Sequence, residues 1–302
     1  MKKIISFLFL SIFLLGCTSA PLTDSKKLSV YASFYPLAFL TEQIAGDKAM
    51  VLNVVPNGVE PHDFEPSTKT IAQIIDSDLF LYNGAGLDEW ANDFVKTLDS
   101  SEPVLLKTST LVDILATKYA EEGESAGIAD PHFWLDPNNM IKIADQIKMK
   151  LISIDPANAN FYENNNTKLK SELGSLNQDF ISGLQSCEMK TFVTSHAAFA
   201  YLAKGYGLEM FAISGLSPDE EPSTKKIAEI SEMVEEYGIK YVVAETLLSS
   251  KIGETIADET GAQILVLNPI EGLTNDDEKN GENYLSIMSS NLKNLKTALS
   301  CT

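Results

Sequence analysis

The chain has no arginine. All 23 of its basic residues are lysine, against 42 acidic ones, for a formal charge of −19 over 302 residues. That balance excludes nucleic acid as a partner, because a phosphate backbone calls for a basic patch. It also excludes planar, bidentate anion recognition, which is the work of guanidinium groups. No apolar run reaches the roughly 20 residues that a helix needs to cross a bilayer. No short metal-binding motif appears, and histidine occurs only three times, at His62, His132 and His196. What is present is 44% hydrophobic and 22% charged. Such a chain can bury a core and is not a disordered polymer, and its length suits two domains of ordinary size.

The longest apolar run, residues 4–15, follows Lys2 and Lys3 and is broken only by Ser6 and Ser11. A charged start and a short apolar core are the layout of a secretory signal. The run ends Leu14-Leu15-Gly16-Cys17, which resembles a bacterial lipobox. By that resemblance residues 1–16 are a signal peptide and Cys17 becomes a lipidated N-terminus. Residues 17–27 then form a polar tether that holds the protein to a membrane surface without spanning it. The mature protein is expected to work outside the cytoplasm as a membrane-anchored lipoprotein. Two cysteines remain, Cys187 and Cys301. An oxidising compartment permits a disulfide between them, and the even count favours it. Two buried free thiols are the alternative.

Short β-branched runs alternate with helical patterns. Strands are expected at 28–33, 50–55, 79–82 and 103–106, with helices at 36–45, 67–77 and 88–98. A second series follows, with strands at 191–195, 208–213, 241–244 and 264–267 and helices at 197–206, 222–237, 249–260 and 282–299. Strands apolar on both faces, alternating with helices, imply a parallel sheet covered on both sides. Between the series, 138–154 reads as one amphipathic helix, Asp155-Pro156 breaks it, and a longer helix runs to about residue 184. The expected fold class is α/β, two similar lobes with parallel four-stranded sheets joined by a long connecting helix. The boundaries are 28–136 for the N-terminal lobe, 137–186 for the connecting helices and 187–302 for the C-terminal lobe. Residues 120–129 read as a solvated acidic loop.

His62, His196 and Glu271 each follow the carboxyl end of an expected strand, where open α/β sheets bind ligands. His132 lies in Asp130-Pro131-His132-Phe133-Trp134-Leu135-Asp136-Pro137, beside the start of the connecting helices. Neutral imidazole suits zinc, and one carboxylate completes a tetrahedron. Ligands so dispersed in sequence would close two lobes on one ion. Glu60, Asp63, Asp130 and Asp136 are acids near these histidines that could orient their rings, and Glu60 is a competing donor to the ion. Phe133 and Trp134 read as core. Three histidines with an open position would also make a catalytic zinc site, with Asp63 or Glu60 as base. A filled fourth position argues against an enzyme.

The local sequences Ser33-Phe34-Tyr35-Pro36-Leu37, Glu60-Pro61-His62-Asp63-Phe64-Glu65-Pro66-Ser67 and Gly84-Ala85-Gly86-Leu87-Asp88-Glu89-Trp90 carry a further signal. So do Pro131-His132-Phe133-Trp134-Leu135-Asp136-Pro137, Thr194-Ser195-His196-Ala197-Ala198-Phe199-Ala200-Tyr201 and Tyr206-Gly207-Leu208. With these the chain resembles the zinc and manganese solute-binding lipoproteins of ABC transporters. The resemblance implies two α/β lobes joined by a long helix, with the metal between them. It places the ligand set on His62, His132, His196 and Glu271, with Glu60 or water as other fourth ligands. It implies Zn²⁺ as the carried ion, with Mn²⁺ as the alternative, a monomer, and an ABC permease as partner. Manganese-preferring members carry a carboxylate where this chain has His196. Zinc-type relatives often have a histidine-rich loop where this chain has Glu121, Glu122 and Glu124. Some relatives are described as surface adhesins, which gives a second functional alternative.

Overall fold

The computed structural model describes residues 27–99, 103–117, 127–218 and 222–302. The signal segment, Cys17, nearly all of the tether and most of the 120–129 loop lie outside them. The first series runs β1 (Leu28–Ala32), α1 (Tyr35–Ala45), β2 (Ala49–Asn53), α2 (Thr68–Ile75), β3 (Leu79–Tyr82), α3 (Glu89–Val95) and β4 (Val104–Lys107). Its strands pair in parallel in the order β2-β1-β3-β4. Two long helices follow, α4 (Pro137–Ile154) and α5 (Ala159–Leu184). The second series is β5 (Thr191–Thr194), α6 (Ala200–Gly205), β6 (Glu209–Ala212), α7 (Thr224–Glu236), β7 (Tyr241–Ala244), α8 (Lys251–Thr260) and β8 (Gln263–Val266). It ends with α9 (Asn275–Asn280) and α10 (Tyr284–Ala298). Its sheet is again parallel, ordered β6-β5-β7-β8, so the two lobes repeat one topology.

The central strands explain the parallel arrangement. All four residues of β3 are buried, and three of four in β5 and β7. Strands covered on both faces have no polar side to present to water. In each sheet the chain passes first to one side of the opening strand and then to the other. A crevice therefore opens at the carboxyl ends between β1 and β3, and between β5 and β7, which is the ligand position of such sheets. Among the described residues, no helix is long and apolar enough to cross a membrane.

Helix α4 begins where Pro137 takes the first helical position and Asp136 accepts from Asn138 N at 2.8 Å. Helix α5 has 26 residues, which at 1.5 Å each extend about 39 Å. Its buried residues Tyr162, Asn166, Leu169, Leu173, Leu176, Phe180 and Leu184 recur at three- and four-residue steps. That stripe packs on α4, α1 and α10, elements drawn from both lobes. The two helices thus form a shared rib in one continuous core rather than a free hinge.

Helix α9 was not expected. It is polar throughout, so it carries no apolar period; a capping box at Thr274 and Asp277 starts it and left-handed Gly281 stops it. The expected helix at 282–299 begins two residues later, behind the Asn283 cap. The expected helix at 197–206 opens as a 3₁₀ turn and becomes α-helical only at Ala200.

Cys187 and Cys301 are joined, tying the end of α5 to the C-terminus across 114 residues. A loop of that length removes denatured-state entropy equivalent to about 5 kcal/mol in the chain-entropy model. Cys301→Ser should lower unfolding free energy by that order. Reductant should then destabilise the unsubstituted protein and leave the variant unchanged in a denaturant melt. Equal midpoints for the two proteins without reductant would show that the bridge adds nothing.

Candidate metal centre

Four side chains converge between the lobes: His62 from the segment after β2, His132 from the turn before α4, His196 just past β5, and Glu271 from the segment after β8. One donor atom from each lies within 4.8 Å of all the others. Glu271 Oε1 is 3.1 Å from His196 Nε2, 3.3 Å from His132 Nε2 and 3.6 Å from His62 Nε2. His62 Nε2 and His132 Nε2 are 3.3 Å apart. Zinc bonds of about 2.0 Å in a tetrahedron put neighbouring donors about 3.3 Å from one another. Those four separations, and the composition of the set, match a four-coordinate zinc site.

Each donor is aimed by its own local structure. Asp130 Oδ1 accepts from the His132 main-chain N and from its ring Nδ1, both at 2.9 Å. Asn83 Nδ2 donates to Pro131 O at 3.1 Å, and Asp88 holds Asn83 N and Gly84 N at 2.7 Å. This chain of bonds leads from the end of β3 to the turn that carries His132. At His196, Glu245 Oε1 accepts from the main-chain N at 3.1 Å. Its Oε2 lies 2.5 Å from Nδ1, an ion-pair contact close in distance but off the line of a hydrogen bond.

Glu271 depends on a strained segment. Ile270 sits at φ +58°, a conformation that costs a β-branched residue on the order of 1–3 kcal/mol. It is held there because its side chain is fully buried and its N donates to Asn268 Oδ1 at 2.8 Å. Asn291 grips Asn268 through both main-chain groups. Trp134 Nε1 donates to Pro269 O at 2.7 Å, and Tyr284 OH donates to Trp134 O at 2.6 Å. Trp134 is fully buried, so it is core, yet it also anchors the segment carrying the carboxylate.

The electrostatics separate the carboxyls. Burial opposes ionisation of Glu271, but the His196 charge and hydrogen bonds from the three rings outweigh it and hold the group well below its ordinary value. Glu60 is pushed up to about 9, first by burial and then by the Glu271 charge. Of these two carboxyls, Glu271 is the anionic donor. Burial works against a charged His196 ring, but Glu245 and Glu271 raise it well above the usual imidazole range. His132 is raised against its burial by Asp130 and Glu271, whereas burial prevails at His62 and lowers it.

The acids expected to orient the rings divide. Asp130 does so at His132. Glu60 Oε1 accepts from the main-chain N of His62 at 3.1 Å, so it braces that turn. Asp136 instead caps α4, because its carboxylate is turned onto Asn138 N. Asp63 is exposed, and among the described residues nothing joins it to a histidine. Glu245 was missed. Its signal was available, since it follows β7 at a strand's carboxyl end, as His196 does in the neighbouring strand.

A family model described as "Zinc-uptake complex component A periplasmic" matches residues 30–298. The chain is 39% identical, over 98% of its length, to the zinc-binding lipoprotein AdcA of Streptococcus pneumoniae, of which it spans 61%. It is 37% identical, over 91% of its length, to the high-affinity zinc uptake system protein ZnuA of Bacillus subtilis, covering 89% of that protein. The crystal structure of the Zn(II)-bound ZnuA-like domain of S. pneumoniae AdcA superposes with a TM-score of 0.78 at 40% identity. That match covers 90% of this chain and 99% of the domain.

The bond from Trp134 to Pro269 crosses from one lobe to the other. Trp134→Phe would leave a buried carbonyl unpaired and lower stability by about 1–3 kcal/mol, while loosening Glu271 and weakening zinc binding. A variant with unchanged melting temperature and unchanged zinc affinity would show that this bond does not hold the segment.

Proposed function

Because the chain belongs to the zinc-uptake complex component A family, we propose that it is the extracytoplasmic zinc-binding component of an ABC-type importer. It captures Zn²⁺ between its lobes and delivers it to the permease. The ligands are His62, His132, His196 and Glu271. Cys17 carries the lipid that keeps a monomeric protein at the membrane surface.

The observation that supports this reading is the cage itself: three imidazoles and one carboxylate, from both lobes, with each imidazole 3.1–3.6 Å from the carboxylate oxygen. The set is already fourfold. An ion held by it keeps no open position for an activated water, which is what a catalytic zinc needs. Capture and transfer are then the function, and hydrolysis is not. Imidazole donors also favour zinc over manganese, which suits oxygen ligands.

The purified protein should bind one zinc ion and release it to a strong chelator. Zinc at a thousandfold excess over its Kd should add about 4 kcal/mol to stability, read as a rise in melting temperature. Alanine at His132, His196 or Glu271 should weaken binding by more than the roughly 10–100-fold typical of groups that merely support a ligand. In competition, Zn²⁺ should displace Mn²⁺, and His196→Glu should shift the preference toward manganese. A cell lacking the protein should take up less zinc. Unchanged uptake together with lost surface adhesion would point to the adhesin alternative instead, and manganese winning the competition would overturn zinc as the cargo.

A further inference from the structure

Two of the three histidines, in opposite lobes, each have a buried carboxylate behind the ring, hydrogen-bonded to Nδ1 at His132 and in ion-pair contact with it at His196. In each case one buried carboxylate reaches both the main-chain N of the histidine and its ring Nδ1. Asp130 does this for His132 from two residues away. Glu245 does it for His196 from the end of another strand. Glu245 is 5% exposed, and Asp130 and His196 are essentially inaccessible. A carboxylate placed so deeply is costly unless it serves a partner. The strands concerned, β5 and β7, flank the crevice of the second sheet, so the pair spans the point where that sheet binds its ligand.

The geometry points to Glu245 as a positioning residue that sets the zinc preference of the site by acting through His196. This deepens the zinc-binding reading and rests on it. A carboxylate against Nδ1 favours the proton on that nitrogen. Nε2, 3.1 Å from Glu271 Oε1, is then the nitrogen that gives up its proton when an ion binds. The hydrogen bond to the main-chain N fixes where the ring starts, and the charge beside Nδ1 favours the rotation that keeps that nitrogen toward Glu245. Without Glu245, the ring is free to place its proton on Nε2, which removes a donor. The remaining two imidazoles and one carboxylate are less nitrogen-rich and discriminate less between zinc and manganese. A purely structural role is partly covered elsewhere, since Ser195 Oγ already ties the end of β5 to Val243 O at 3.1 Å.

Glu245→Gln keeps the shape and removes the charge. Its amide nitrogen, turned toward Nδ1, would donate to the ring and drive the proton onto Nε2. The variant should bind Zn²⁺ 10–100-fold more weakly and Mn²⁺ little differently, so that the zinc-to-manganese affinity ratio falls. The metal-free melting temperature should stay within a few degrees of the unsubstituted protein. With Co²⁺ as the probe, the intense visible absorption of a tetrahedral site should weaken. Glu245→Asp, which keeps the charge but draws it back, should lie between the two. The double variant His196→Ala/Glu245→Gln should bind zinc no more weakly than His196→Ala alone, because the residues act as a unit. Unchanged zinc affinity in Glu245→Gln or Glu245→Asp would overturn the assignment, and so would additive losses in the double variant. An unsubstituted protein that failed to bind zinc would instead overturn the functional reading.

Discussion

The molecule is arranged around one buried meeting of four donors. Three imidazole nitrogens face one carboxylate oxygen at 3.1–3.6 Å, all four donors lying within 4.8 Å of one another in a buried space. Before an ion enters, ring protons and the His196 charge hold Glu271 as an anion in that space, and imidazoles must give up those protons to become ligands. A divalent ion replaces those protons with four bonds at once. The affinity of such a site comes from how firmly the surrounding protein refuses to let the donors separate beforehand.

The refusal is spread over both lobes. Tyr201, on α6, accepts from Leu115 N at 2.8 Å and donates to Asp130 O at 3.0 Å, so the second lobe fixes the backbone of the residue that holds His132. Gly58, free to adopt φ +78°, donates its N to Leu273 O at 2.8 Å and joins the segments bearing His62 and Glu271. Trp134 and Tyr284 add a third crossing. Behind these links, α4 and α5 pack against elements of each lobe. Such a frame admits small adjustments of segments more readily than a wide swing of domains.

The sequence carried most of this, for identifiable reasons. The strands β3 and β7 could be read to the residue because apolar runs bounded by turns leave little choice. His62, His196 and Glu271 were legible because each follows such a run, and parallel sheets present ligands there. Two things stayed hidden. Helix α9 is polar on every face and is specified by its caps, which a search for apolar period passes over. Glu245 satisfied the strand-end rule, but it lies 49 residues from His196. Only the pairing of β5 with β7 brings them together, through a single register contact, Val193 with Val242. Asp136 shows the converse error, since closeness in sequence to His132 says nothing about where a helix cap points its carboxylate.

The four donors are not supported equally, and the inequality has a direction. His132 and His196 are inaccessible, each with a carboxylate behind its ring, and Glu271 is locked by a strained turn that two asparagines and a tryptophan hold in place. His62 differs on every count. Its side chain retains 7% exposure, and its nearest supporting acid grips only its main chain. A cage closed on four sides opens with least disruption where the fewest bonds must be broken. By that measure His62 is the donor least braced by its surroundings, while the other three are held by most of the bonds that shape the cage.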